Sequence, residues 1–139
     1  MSRFCLDTSA YSHFKRGDAD AVDLIASAQW IGVPSIVLGE LRTGFLLGRQ
    51  ADENERELQE FLREEVVAVL DVDSEASRHY AEIVVALRRA GTPIPTNDAW
   101  IAAIAAREGA TVLTYDDHFS KVTRVGARVL EAARAPPGV

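Results

Sequence analysis

"RFCLDTSAY" (residues 3–11) sets a short apolar run directly before a carboxylate, Asp7, and two hydroxyl residues, Thr8 and Ser9. The run suits a buried strand. Asp, Thr and Ser suit the start of a helix, because their oxygens accept bonds from its unpaired N–H groups. A strand that turns at once into a helix predicts an α/β chain with Asp7 at the carboxyl end of the first strand. Sites in open parallel sheets form outside that end, so Asp7 reads either as a helix cap or as one member of a site.

The rest of the chain extends the α/β pattern. Helices are expected over residues 9–15, stopped by Gly17, and over residues 19–28, with Val22, Leu24 and Ile25 on the apolar side. "WIGVP" (30–34) is a second strand, after which Ser35 caps a helix running to about Leu47. A charged amphipathic helix over 52–65 carries the stripe Leu58, Phe61, Leu62 at helical spacing. "VVAVLDV" (66–72) is a third strand, and helices follow over 74–90 and 97–108, ended by Gly91 and Gly109. "TVLTYDD" (111–117) is the fourth strand and its exit, "ARVL" (127–130) a fifth, and "APPGV" (135–139) a flexible tail. Short apolar strands alternating with helices predict a three-layer α/β sandwich with a mainly parallel sheet of four to five strands. Residues 1–134 read as one domain, with no repeat or linker to divide them.

Bulk properties narrow the class. A length of 139 residues, 47% hydrophobic and 26% charged, is ordinary for a globular domain. No run is long and apolar enough for a membrane span or a signal peptide, so a cytoplasmic protein is expected. One cysteine, Cys5, leaves no internal disulfide and reads as a small core residue of the first strand. His13, His79 and His118 show no ligand spacing, which argues against a zinc site. A net charge of −6 disfavours a broad, non-specific nucleic-acid surface, although carboxylates that hold a cation would add negative formal charge of their own.

Four acids stand out. Asp116 leaves strand four as Asp7 leaves strand one, and alone it reads as a turn residue. Asp98 lies in the first turn of a helix whose residues 99–106 are all apolar. The helix dipole favours an acid there, but the carboxylate points along an inward face, and a buried one must pair, protonate or bind metal. Glu40 falls within the apolar arc of "SIVLGELRTGFLLG" (35–48), beside Ile36 and Gly44. A buried salt bridge would explain Glu40, but Arg42 lies on the far side of the same helix. Several converging carboxylates with no Cys or His ligand are what Mg²⁺ or Mn²⁺ requires, and such a centre points to phosphate chemistry.

The order "LDTS", a mid-chain "GEL", "NDAWIAAIA" and "LTYDDHF" resembles the PIN-domain ribonucleases, nearest to the VapC-type toxins of bacterial toxin–antitoxin pairs. The resemblance runs from Phe4 to about Val129. It implies Asp7, Glu40, Asp98 and Asp116 as the catalytic, metal-holding acids, with Thr114 beside the site and Thr8 in support or capping the helix. It implies a Mg²⁺- or Mn²⁺-dependent endoribonuclease in which a metal-activated water leaves 5′-phosphate and 3′-hydroxyl ends. Lys15, Arg16, Arg42 and Arg49 become candidates for phosphate contacts. The implied partners are RNA, a second copy of the chain, and an antitoxin whose tail occludes the acidic pocket with an Arg or Lys. The helix pair over residues 35–65 is where that tail would be clamped; at least half of Phe45, Leu46 and Leu47 are expected in the core.

Two rival readings are weighed on residues, and the first fails. A haloacid-dehalogenase phosphatase needs a second Asp two residues after the first, where this chain has Ser9. A receiver domain needs paired early acids and a Lys after a late strand, which "FCLDTS" and "LTYDDH" do not supply, and only Lys121 keeps that reading open. The alternative from another class is a non-catalytic RNA-binding or scaffold PIN-like domain, which would be marked by loss of one or more of the four acids.

Overall fold

The computed structural model describes residues 2–132; the tail expected over 135–139 lies outside them. Element order is β1 (Arg3–Leu6), α1 (Thr8–Lys15), α2 (Ala19–Ser27), β2 (Trp30–Pro34), α3 (Ser35–Leu47), α4 (Ala51–Leu62), β3 (Val67–Leu70), α5 (Ser74–Arg89), α6 (Thr96–Glu108), β4 (Thr111–Thr114), a 3₁₀ helix (Asp117–Lys121) and β5 (Ala127–Val129).

The five strands make one sheet in the order β3-β2-β1-β4-β5, every pair parallel. With six helices on its flanks, this is the expected three-layer α/β sandwich, and the sheet is wholly parallel. Parallel strands buried on both faces read as continuous apolar runs, which is why "FCL" and "VL" show no alternation of apolar and polar residues. Cys5, Leu6, Ile31, Val33, Val112 and Leu113 are fully buried. Gly32 sits where a Cβ would come within 2.5 Å of both Leu70 Cδ1 and the Trp30 ring, so no larger residue fits there without a shift.

The strand order places the site. The chain runs from β1 outward through β2 to β3, then returns to the other side of β1 for β4 and β5. Neighbouring connections therefore diverge between β1 and β4, and a crevice opens at their carboxyl ends. Register pairs Leu6 with Leu113, so the next residues, Asp7 and Thr114, emerge side by side.

Helices fix the walls. Tyr11 of α1 packs edge-on against Phe61 of α4 at 5.3 Å between centroids, with Phe14 at 5.4 Å from the same ring. Tyr80 of α5 stacks on Trp100 of α6 at 3.9 Å. Leu58 is the fully buried member of the expected α4 stripe; Phe61 and Leu62 are half-buried beside it. α6 buries five consecutive residues, Ile101–Ala105, and ends at Gly109, whose φ of 62° suits glycine.

Several local expectations change. Asp7 itself caps α1, accepting from the Ala10 N–H at 2.9 Å, so the helix begins at Thr8 and neither Thr8 nor Ser9 is the cap. Ser35 is already helical and Pro34 takes the cap position of α3, with no side-chain bond there. β4 stops at Thr114 because Asp116 caps a 3₁₀ turn by accepting from the His118 N–H at 2.9 Å. α4 ends at Leu62, three residues early. The buried face of α3 is Val37, Leu38 and Leu41, which leaves Ile36 and Glu40 half-buried at its border.

Candidate metal and nuclease centre

All four acids open onto one cleft of about 740 Å³, walled by the start of α1, the middle of α3, the start of α6 and the exit of β4. Asp7, Glu40, Asp98 and Asp116 come from segments tens of residues apart, and each is put there by a different local cause. Asp7 and Asp116 end parallel neighbours on either side of the divergence. Asp98 is carried by the first turn of the buried α6, and Glu40 by the edge of the α3 core face.

Asp7 is the deepest, only 4% exposed. Its Oδ1 accepts from the Ser9 hydroxyl at 2.7 Å and the Ala10 N–H, and its Oδ2 accepts from Thr114 Oγ1 at 2.5 Å. A carboxylate offers about four acceptor directions; three are used, which leaves one on Oδ2. Capping and site membership are thus compatible: one oxygen closes the helix while the other keeps a direction free. Burial pushes the Asp7 carboxyl above its ordinary pKa, against the pull of the Thr114, Ala10 and Ser9 bonds.

Thr114 is fully buried and works in both directions. Its hydroxyl donates to Asp7 and accepts from the Asp116 N–H at 2.9 Å. Thr8 Oγ1 donates to Glu40 Oε1 at 2.7 Å, tying α1 to α3 across 32 residues of sequence. Asp98 is held from the far wall: His118 Nδ1 lies 3.0 Å from Asp98 Oδ2 and 3.1 Å from Asp116 Oδ1. Carboxylate oxygens accept only, so Nδ1 carries the proton and donates. Burial also pushes the Asp98 carboxyl up; the His118 bond lowers it, and the charges of Asp116 and Glu40 raise it.

His118 is the residue that sequence reasoning missed. Asp98, Asp116 and His118 bring potential ligand atoms within 4.8 Å of one another, so a histidine stands among the candidate cation's neighbours. With Nδ1 protonated it braces the two acids and does not ligate through that nitrogen. The signal was present, since His118 lies two residues after Asp116, but a search for paired Cys or His spacing passes over it. The basic rim is also smaller than expected. Lys15 pairs with Glu57 at 3.1 Å, and Arg42 reaches both oxygens of Glu55 at 2.9 and 3.1 Å, so α4 takes both. Arg49 is exposed but does not line the cleft, and of the four only Arg16 does. Leu46 and Leu47 are 79% and 84% exposed, so most of that trio is outside the core.

The donor set fits a hard divalent cation. Oxygen ligands dominate it, the deepest is kept from swinging by three hydrogen bonds, and burial holds two of the carboxyls above their ordinary pKa.

The PIN domain family matches residues 4–125 of the chain. Ribonuclease VapC4 of Mycobacterium tuberculosis is 32% identical over 125 residues, spanning 90% of this chain and 95% of that one. VapBC2 from Rickettsia felis, solved bound to a DNA fragment from their promoter, is similar in fold with a TM-score of 0.80 at 24% identity, covering 92% of this chain and 98% of that one. DNA-bound VapBC from Salmonella typhimurium gives a TM-score of 0.77 at 27% identity, covering 93% and 98%. The chain belongs to the PIN-domain family and, within it, to the VapC group.

Proposed function

We propose that the protein is the toxin of a toxin–antitoxin pair, a Mg²⁺- or Mn²⁺-dependent endoribonuclease acting in the cytoplasm. The observation that carries this reading is the gathering of four carboxylates from four separate segments in one open cleft. The VapC relatives, named ribonucleases, and the neighbours solved as toxin–antitoxin complexes support it.

Asp7, Asp98, Asp116 and Glu40 would hold the cation. When bound, it supplies Lewis acidity, acidifying water and neutralising charge that builds on the phosphate. The chain's own residues do the positioning. Thr114, Ser9 and the Ala10 N–H fix Asp7, so its free lone pair keeps one direction. Thr8 fixes Glu40, and His118 spans Asp98 and Asp116. Arg16, exposed at the rim, is placed to contact a flanking phosphate of the strand. Hydrolysis in line with this arrangement leaves a 5′-phosphate and a 3′-hydroxyl.

Leu46 and Leu47, exposed at the end of α3, suit an antitoxin segment laid along the α3–α4 pair, in a complex built on a toxin homodimer. Among the described residues no helix is long and apolar enough to cross a membrane.

The test is cleavage of a mixed cellular RNA pool by the purified chain across a Mg²⁺ and Mn²⁺ titration, beside Asp7→Asn and Asp98→Asn. Cutting that needs metal and disappears in both variants establishes the nuclease. RNA binding without cutting at any metal level would replace it with the non-catalytic binding domain.

A further inference from the structure

The wall of the cleft formed by α1 carries an aromatic stack that the metal chemistry does not use. The His13 imidazole lies flat on the Tyr115 ring, 3.8 Å between centroids and 10° from parallel. His13 borders the cleft. Its Nδ1 lies 2.9 Å from the Ser9 carbonyl oxygen. That oxygen only accepts, so Nδ1 carries the proton and the ring has one orientation. Arg16 Nη2, 3.3 Å from the same nitrogen, therefore makes no hydrogen bond to it and lies beside the ring with its charge exposed to the cleft.

Ser9 couples this ring to the acids. Its hydroxyl donates to Asp7 Oδ1 and accepts from the Tyr115 N–H at 2.9 Å, while its carbonyl holds His13. One residue thus fixes the ring, the ring's backing and the deepest carboxylate. Asp7 caps α1 and His13 lies six residues further along the same helix, about 9 Å of helical rise. A strand whose phosphate sits at the carboxylates therefore meets the His13 plane within about one to two nucleotides.

A flat ring, backed by a second ring and bordering a nucleic-acid-sized cleft, matches how unpaired bases are held: they stack on aromatic side chains, histidine included, with little dependence on base identity. We propose that His13, backed by Tyr115, is a stacking platform for an unpaired nucleobase next to the phosphate that is cut, with Arg16 taking the adjoining phosphate. The proposal rests on the ribonuclease reading above.

The test compares wild type, His13→Ala and His13→Phe for binding a fluorescein-labelled, mixed-sequence single-stranded RNA and the duplex of the same sequence. Ca²⁺ replaces the catalytic metal so that the strand is not consumed, and Mn²⁺ binding to each protein is followed by calorimetry. His13→Ala is expected to weaken single-strand binding roughly 5- to 100-fold, the range of one base stack. His13→Phe, which keeps the plane, should restore most of it. Duplex binding and Mn²⁺ affinity should be the same in all three. Unchanged single-strand binding in His13→Ala overturns the platform, as does failure of Phe to rescue. A fall in Mn²⁺ affinity parallel to the loss of RNA also overturns it, since His13 would then act through Asp7. Wild type that neither binds nor cuts RNA overturns the ribonuclease reading itself, whereas wild type that cuts while His13→Ala binds normally removes only the platform.

Discussion

Thr114 Oγ1 donates to Asp7 Oδ2 at 2.5 Å across the junction of β1 and β4, joining residues 107 apart in the chain. The same hydroxyl accepts from the Asp116 N–H, so two of the four acids are set by one buried oxygen. Thr114→Val keeps the shape and removes the oxygen, leaving a buried acceptor and a buried donor without partners. The expected cost is about 1–3 kcal/mol in urea unfolding, with Mn²⁺ affinity falling about 10- to 100-fold by calorimetry. Undiminished Mn²⁺ affinity would mean that Thr114 only braces the fold.

Asp7 costs the fold stability at neutral pH. Burial raises its folded-state pKa above the ordinary 3.8, so the folded chain holds this proton more tightly than the unfolded one. The stabilisation from this group is complete below pH 3.8 and is lost as pH rises through the folded value. In EDTA at neutral pH, Asp7→Asn should therefore be more stable than wild type by about 0.5–2 kcal/mol. The gap should close as pH falls below the folded value, and the variant should be inactive. Denaturant unfolding across pH decides this; a less stable Asp7→Asn at neutral pH would contradict it.

Divalent metal should reverse that ranking. Saturating the centre at 100 times its dissociation constant adds about 2.7 kcal/mol to the folded state. Thermal unfolding with Mn²⁺ or Mg²⁺ should rise for wild type, stay flat for Asp7→Asn, and return to baseline with excess EDTA. A rise of equal size in the variant would place the bound ion elsewhere.

Gly32 is a packing requirement remote from the chemistry. A Cβ there meets Leu70 Cδ1 and the Trp30 ring at 2.5 Å, so Gly32→Ala should lower stability by about 1–3 kcal/mol. Metal affinity measured below the melting range should be unchanged.

Leu46 and Leu47 contribute surface and little fold. At 79% and 84% exposure, the double change to serine should leave stability within about 0.5 kcal/mol per site. A pull-down with the cognate antitoxin, or gel filtration of the free chain, should then register weakened assembly. Intact assembly in both measurements would remove this end of α3 from the interfaces.

The elements were legible because each is dictated by neighbours in sequence. Three apolar residues and an Asp make β1 and its exit, and "WIGVP" is β2 to the residue. The unbroken apolar run after Asp98 makes α6 a buried helix. The four acids were legible for the same reason: a carboxylate at a strand end or within an apolar arc conflicts locally with its surroundings. Other features depended on which distant segments meet, and no local pattern encodes that. Strand order put Thr114 beside Asp7 and His118 between Asp98 and Asp116. Packing of α4 decided that Lys15 and Arg42 would be neutralised by Glu57 and Glu55. The ring of Tyr115 decided that His13 would lie flat at the cleft wall. Local sequence determines where a charge is out of place; only the tertiary contacts determine what answers it, because a long side chain bonds to whatever the fold brings within about 3 Å.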